Sequence, residues 1–175
     1  MYLWIGINVD DELQELKQKV EVIYKNMNYY NEIINLPYHI SLKISFEIDL
    51  DMKESIINDL SNYFKLVKPF TLETIGIENE GTICWLRYKE NNSIQRIKKD
   101  INSMLYSKYQ IPYHEYDLDF IFHSTLFMDD DINMVKNFYE MTKDFAYPRV
   151  VHINHFLIGE SLNGDVGSFR IIKKI

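Results

Sequence analysis

Residues 37–46 read PYHISLKISF, and from Tyr38 onward apolar and polar side chains alternate. This period of two is typical of a strand that buries one of its faces. The polar face carries His39, then Ser41 two residues on, then Lys43 two residues further. These side chains offer a titratable base, a hydrogen-bond donor and a cation, so the row predicts half of a site for a phosphate.

A second strand-like segment, residues 120–127 (FIFHSTLF), repeats this arrangement. His123 and Thr125 share one face of it, and mostly apolar side chains occupy the other. A lone histidine on a strand is more often structural than catalytic. Two histidines with the same two-residue offset to a hydroxyl, each in an apolar strand, instead indicate a shared site.

This pair of motifs resembles the signature of the two-histidine (2H) phosphoesterases, the superfamily of 2′-5′ RNA ligases and RNA 2′,3′-cyclic phosphodiesterases. The signature is two His-x-Thr/Ser motifs, each followed by an apolar residue, and residues 39–42 (HISL) and 123–126 (HSTL) both match. The match continues through residues 43–46, and residues 153–161 resemble the family's last strands. The resemblance therefore covers nearly the whole chain. One departure is that residues 127–129 (FMD) follow the second motif, where many members carry a basic residue.

The resemblance implies a hydrolase that needs no metal and no cofactor. It implies His39 and His123 as the acid–base pair, with Ser41 and Thr125 as ligands of the phosphate oxygens. The implied reaction opens a 2′,3′-cyclic phosphate, or cleaves a 2′-5′ phosphodiester, in a nucleotide or an RNA end. Ligation is its reverse. Which histidine is the acid and which is the base stays open at this point.

The residue types suit this chemistry on physical grounds. Phosphodiester cleavage needs one proton removed from the attacking oxygen and another delivered to the leaving oxygen. Imidazole performs both tasks because its pKa lies near neutrality. Hydroxyl groups donate hydrogen bonds to the non-bridging oxygens, which carry the negative charge.

Further side chains are candidates for holding the substrate. Lys43 shares the row of His39 and Ser41, so we expect it at the edge of the groove, where it attracts the phosphate; the alternative is a plain solvated lysine. Four aromatic residues are candidates for stacking a base: Tyr2, Trp4, Tyr113 and Tyr116. Trp85 lies in an apolar strand pattern, and we expect it in the core.

The composition excludes several other classes of protein. Hydrophobic residues make up 46% of the 175 residues, which predicts a folded core and not a disordered chain. The net charge of −7 argues against binding an extended nucleic-acid duplex, but it allows a nucleotide or RNA terminus in a local pocket. A single cysteine, Cys84, excludes an intramolecular disulfide and a cysteine-based zinc site.

The chain shows no apolar run of 18 residues, so we expect no membrane span. Its first residues already read as a strand and carry no signal-peptide pattern. We therefore expect a cytoplasmic protein, and we expect it to be a monomer.

The periodicities predict an α+β fold in one domain, residues 1–175. The predicted order is strand, helix, strand, helix, strand, strand, then helix, strand, helix, strand, strand. We expect two pseudo-symmetric halves, about 1–90 and 91–175, with antiparallel sheets side by side and helices on the outer faces. The family resemblance implies the bilobal LigT-like fold, with the two histidine strands across one groove.

Two other functions stay open from the sequence. The first is a catalytically silent module that binds a nucleotide or an RNA end in the same groove. The second is a metal protein that uses His39, His123 and a further histidine. The metal hypothesis leaves the offset between histidine and hydroxyl unexplained.

Overall fold

The structure is a computed structural model that describes residues 1–27, 29, 36–118, 120–165 and 167–175. Most of residues 26–35, including Tyr30, lie outside the described residues. The strands are β1 (Tyr2–Asn8), β2 (His39–Glu47), β3 (Phe70–Glu80), β4 (Ile83–Tyr88), β5 (His123–Met128), β6 (Val150–Ile153), β7 (Phe156–Ser161) and β8 (Arg170–Lys174). The α-helices are α1 (Gln14–Asn26), α2 (Lys53–Phe64), α3 (Asn92–Tyr109), α4 (Glu115–Leu118) and α5 (Ile132–Thr142).

These strands form two four-stranded antiparallel sheets. The strand order is β2-β1-β7-β8 in one sheet and β5-β4-β3-β6 in the other. The two histidine-bearing strands, β2 and β5, are therefore edge strands, and they lie against each other where the sheets meet. This arrangement confirms the predicted α+β fold with two antiparallel sheets side by side.

The two sheets do not coincide with the two predicted halves, about 1–90 and 91–175, whose pseudo-symmetry stays a prediction. The sheet of β1 and β2 is completed by β7 and β8 from the end of the chain, whereas β3 and β4 join β5 and β6. β1 is an interior strand of its sheet, paired with β2 on one side and β7 on the other. Its residues after Tyr2 are all buried.

The helices begin where side chains satisfy their first N–H groups. The Asn91 side chain accepts from the N–H groups of Ser93 at 3.0 Å and Ile94 at 3.1 Å, which begins α3. Asp131 accepts from the Asn133 N–H at 2.9 Å and begins α5. These two side chains therefore define the starts of α3 and α5. No helix in the described parts of the chain is long and apolar enough to cross a membrane.

Candidate active site

The two histidine motifs meet through a hydrogen bond between the edge strands. Ser124, the residue between His123 and Thr125, donates its hydroxyl proton to the His39 carbonyl at 2.9 Å. The Tyr88 hydroxyl lies 3.0 Å from the Ser124 oxygen, and it is the donor there because Ser124 has already used its single proton. This buried chain of hydrogen bonds holds the start of β2 against β5.

Both imidazoles are held in the same way. His39 Nδ1 lies 2.8 Å from the Pro37 carbonyl, and His123 Nδ1 lies 2.7 Å from the Ile121 carbonyl. A carbonyl only accepts, so Nδ1 carries the proton in each ring. Each neutral ring therefore keeps its Nε2 lone pair for taking up a proton, which is the arrangement that acid–base catalysis needs.

Burial keeps both imidazoles neutral. It lowers the pKa of His39 to about 4, and the nearby His123 adds to that lowering. Burial also lowers the pKa of His123, although its hydrogen bond to Ile121 opposes the effect. Binding of an anion stabilises an imidazolium, and we expect it to raise these pKa values in the complex.

A cavity of about 290 Å³ brings together three of the four histidine and hydroxyl residues of the two motifs: His39, Ser41 and Thr125. His123 shares the face of β5 on which Thr125 lies, because the two are separated by one residue. The remaining lining residues are Trp4, Leu36, Ile44, Ser45, Met128, Gly164, Gly167 and Phe169. The two motifs thus contribute to one cavity at the junction of the sheets.

Two larger cavities lie elsewhere. One, of about 500 Å³, lies beside Thr74 and Tyr147, and the other, of about 540 Å³, beside Lys98 and Asn102. No histidine is found among the described residues lining either one. Size alone therefore does not mark the candidate site; the convergence of the two motifs does.

Trp4 is the one predicted stacking residue that lines the histidine cavity. Its Nε1 donates to Ser41 Oγ at 2.9 Å, and its ring lies edge-on to His39 at a centroid distance of 4.3 Å. A Cβ added at Gly6 would lie 2.6 Å from Trp4 Cη2, so the indole needs glycine beneath it. Trp4 is thus fixed in place and orients Ser41, and its N–H is not left free for a base.

Trp85 lies beside the candidate site, a position that the sequence did not predict. Its ring stacks on His123 with a centroid distance of 4.5 Å and an interplanar angle of 28°. It lies opposite Thr125 in the register of β4 and β5. A signal was available in the sequence, since each motif strand is preceded along the chain by a strand containing a tryptophan. Among the described residues, Trp85 Nε1 finds no hydrogen-bond acceptor.

The prediction that Lys43 lies at the edge of the groove is wrong. Ser41 pairs with Gly6 and Lys43 pairs with Ile5, so β2 advances two residues for one of β1. This β-bulge turns Lys43 away from the row of His39 and Ser41. The Lys43 ammonium is buried, forms an ion pair with the Asp117 carboxylate and donates to the Pro112 carbonyl at 3.1 Å.

The other predicted stacking residues are not among the described residues that line this cavity. The Tyr2 ring packs beneath Gly164, about 3.0 Å from where a Cβ would stand. Tyr113 lines the separate cavity beside Lys98, and Tyr116 stacks on His114 at 5.2 Å. The structure therefore does not bring these three tyrosines to the histidine cavity.

Histidine, cysteine, aspartate and glutamate side chains do not form a metal-binding group of three or more within the described ranges. Of the remaining histidines, His152 is exposed, with its Nδ1 3.1 Å from a Glu12 carboxylate oxygen. His152 does not line the cavity of the two motifs, so a substitution at His152 can serve as the control for substitutions of His39 and His123.

Comparison with known proteins supports the fold independently. The chain matches no family model and no curated protein. Among solved structures it is similar to TT0787 of Thermus thermophilus, with 14% identity, coverage of 100% of this chain and 97% of that one, and a TM-score of 0.59. It is also similar to E. coli LigT in the apo form, with 14% identity, coverage of 99% and 95%, and a TM-score of 0.57.

A structure of E. coli LigT in complex with 3′-AMP matches over the same extent, with 14% identity, coverage of 99% and 95%, and a TM-score of 0.54. The similarity spans both sheets and nearly the whole length of each protein. At this level of identity it is the backbone architecture that is shared. The chain therefore has the bilobal fold seen in E. coli LigT, as the resemblance of its paired motifs implies.

Proposed function

We propose that this protein is a phosphodiesterase that opens a 2′,3′-cyclic phosphate, or cleaves a 2′-5′ phosphodiester, in a nucleotide or an RNA end. The observation that carries the proposal is the convergence of His39, Ser41 and Thr125 on one cavity, with Ser124 of the second motif bonded to the His39 carbonyl. The complexes of E. coli LigT with 3′-AMP and with phosphate support a nucleotide or phosphate ligand for this fold.

In the proposed reaction, one imidazole takes a proton from a water molecule as the water oxygen bonds to phosphorus. The other imidazole, protonated beforehand, gives its proton to the ribose oxygen as the P–O bond breaks. Ser41 and Thr125 donate hydrogen bonds to the non-bridging oxygens. Trp4 prepares Ser41 for this, because the Ser41 oxygen accepts from the indole and its own proton is left for the substrate.

The test is hydrolysis of a panel of 2′,3′-cyclic mononucleotides and 2′-5′ dinucleotides in the presence of EDTA. We expect turnover by the wild type and a loss of about 10²–10⁴-fold in both His39→Ala and His123→Ala. His152→Ala is the matched control, since it removes an exposed histidine outside the cavity, and it should keep full activity.

The outcomes separate the competing functions. Nucleotide binding without turnover in the wild type, abolished in both histidine variants, would identify a silent binding module. Loss of wild-type activity in EDTA, restored by a divalent metal, would favour a metal-dependent mechanism. Activity that survives both substitutions would contradict a site built on the two histidines.

A further inference from the structure

The described lining of the histidine cavity includes no lysine or arginine. The two cations nearest in sequence to its lining residues are engaged elsewhere. The Lys43 ammonium is buried in its ion pair with Asp117, and Arg170 donates to Glu160 at 2.9 Å and 2.6 Å. A phosphate bound in the cavity therefore draws positive charge from the imidazoles or from a cation at the edge of the cavity.

Arg87 lies beside the second motif. In the register of β4 and β5, Arg87 is opposite His123 and Trp85 is opposite Thr125. Residues directly opposite in an antiparallel pair point to the same face, with Cβ atoms roughly 4.5–5.5 Å apart. The Trp85 ring stacks on His123, so this face of β4 is the one that meets the site. Arg87 shares it, because one residue separates it from Trp85.

The Arg87 guanidinium is held weakly in the free protein. In the part of the chain that the structure describes, its one partner is Glu78 of β3, whose Oε2 lies 3.4 Å from Arg87 Nη1. The Arg87 side chain is 41% exposed and that of Glu78 37% exposed. A long ion pair that is this open to water contributes little to stability.

Glu78 also draws the guanidinium away from the site. β4 lies between β3 and β5, so a residue of β3 is on the side of Arg87 opposite to His123. Gly76 is the residue directly opposite Arg87 on β3, and it places no side chain against the arginine stem. The guanidinium can therefore change partners while the backbone of β4 stays in place.

A phosphate beside His123 is the better acceptor for this guanidinium. Glu78 contacts it at one nitrogen, whereas a phosphate presents two oxygens that match the planar fork of an arginine. The charges also attract each other more strongly where a bound ligand excludes water. Transfer of the guanidinium from Glu78 to the phosphate is therefore favourable.

We propose that Arg87 is a substrate-binding residue, which leaves Glu78 when the phosphate arrives and binds the phosphate beside His123. The inference rests on the proposed function and deepens it, because it assigns a phosphate contact to a strand outside both motifs. It also gives Glu78 a defined part: its carboxylate competes with the substrate for Arg87 and lowers the affinity.

The experiment measures binding of 3′-AMP, the ligand of one LigT complex, by calorimetry at pH 8. The proteins are the full-length wild type, Arg87→Gln and Glu78→Gln. We expect Arg87→Gln to raise the dissociation constant about 10- to 100-fold, the effect of one charge-assisted interaction. Glu78→Gln should lower it about 2- to 5-fold, because the competing carboxylate is gone.

The opposite signs separate binding from a structural role, since both substitutions remove the same ion pair. In Arg87→Gln/Glu78→Gln the dissociation constant should equal that of Arg87→Gln, because Glu78 acts only through Arg87. Lys89→Gln and Glu73→Gln are the matched controls. They remove an exposed pair of 3.3 Å beside the same two strands, with the same changes in net charge, and should stay within about 2-fold of the wild type.

Opposite shifts in Arg87→Gln and Glu78→Gln would support the proposal, even if the hydrolysis assay shows no turnover. Shifts in the same direction would overturn it, and so would an unchanged dissociation constant in Arg87→Gln. Failure of the wild type to bind 3′-AMP would also overturn it, even if cyclic nucleotides are hydrolysed. A loss in Lys89→Gln as large as in Arg87→Gln would contradict a contact specific to Arg87.

Discussion

At the scale of single residues, the Trp4 indole sets the direction of the Ser41 hydroxyl proton. The indole N–H of Trp4 is only a donor, so the Ser41 oxygen accepts from it at 2.9 Å. The Ser41 proton is then free to meet an anion in the cavity. Trp4 acts as a positioning residue, held over Gly6 and edge-on to His39.

Trp4→Phe keeps an aromatic side chain but removes the N–H donor and part of the indole volume. We expect kcat to fall about 2- to 10-fold, the effect of one net hydrogen bond. Steady-state kinetics in a double-mutant cycle with Ser41→Ala provide the measurement. If Trp4 acts only through Ser41, Trp4→Phe should have no further effect in the Ser41→Ala background; an equal loss there would contradict the role.

His39 also couples stability to pH. Its pKa is about 4 in the folded protein and about 6.5 when exposed. Between these values the unfolded chain binds the proton and the folded chain does not. The free energy of unfolding should therefore fall as pH drops from 6.5 to 4, by about 3 kcal/mol for this group, and stay unaffected by it above pH 6.5.

The measurement is urea denaturation of the wild type and His39→Gln at pH 7 and pH 4. The other titrating groups are common to both proteins, so the difference between them isolates His39. We expect the wild type to lose about 3 kcal/mol more than His39→Gln on acidification. An identical loss in both proteins would show that His39 titrates normally in the folded state.

At the scale of elements, the bulge in β2 lets one strand place side chains both in the cavity and in a buried ion pair on its other side. Before the bulge, His39 and Ser41 face the cavity; at the bulge, Lys43 turns to the other side and enters the buried ion pair with Asp117. Asp117 also accepts from the His114 N–H at 2.7 Å. The pair therefore attaches the segment between α3 and β5 to the side of β2 that faces away from the cavity.

Lys43→Met should destabilise the protein by about 3–5 kcal/mol, because it leaves the Asp117 carboxylate buried without its partner. The double variant Lys43→Met/Asp117→Leu should recover at least half of that loss. Urea denaturation measures both. A phosphate-binding Lys43 would instead raise KM and leave stability unchanged.

Lys19→Met is the matched control for that experiment. Lys19 forms an ion pair with Glu15 at 2.6 Å on the exposed surface of α1. Water screens such a pair, so its loss should cost much less than the loss of the buried Lys43 ion pair. A cost near that of Lys43→Met would show that burial is not the cause of the larger effect.

At the scale of the whole molecule, the two sheets meet through their edge strands, β2 and β5, which carry the two histidine motifs. Ser124 bonds to the His39 carbonyl across this junction, and Tyr88 donates to Ser124 from behind. The same residue that separates His123 from Thr125 thus sets the position of the opposite motif. Sheets joined in this way keep the two imidazoles in a fixed relation.

Ser124→Ala should lower both stability and activity. It leaves the buried Tyr88 hydroxyl and the His39 carbonyl without partners, which costs about 1–3 kcal/mol. We expect kcat to fall because the start of β2 loses its attachment to β5. Ser124→Ala/Tyr88→Phe should recover part of the stability and none of the kcat. Ser107→Ala, at an exposed position on α3, should stay within about 0.5 kcal/mol of the wild type.

Much of this architecture was open to prediction from local pattern. The alternation in residues 37–46 and 120–127 predicted the two motif strands. This signal is local, because the alternation of apolar and polar residues depends only on the strand that contains them. The bulge at Lys43 was missed, since alternation assumes an unbroken pleat and the extra residue is visible only against β1.

By itself, the sequence determined the chemical groups and the elements that carry them: two His-x-hydroxyl strands, the apolar faces behind them and the caps of the helices. Tertiary structure alone decided which strands share a sheet, that Lys43 is neutralised by Asp117, and that Trp4 and Trp85 contact the two histidines. The physical reason is the distance along the chain over which each interaction acts. Periodicity and capping act within a few residues, whereas strand pairing, ion pairing and burial depend on partners brought together by the whole fold.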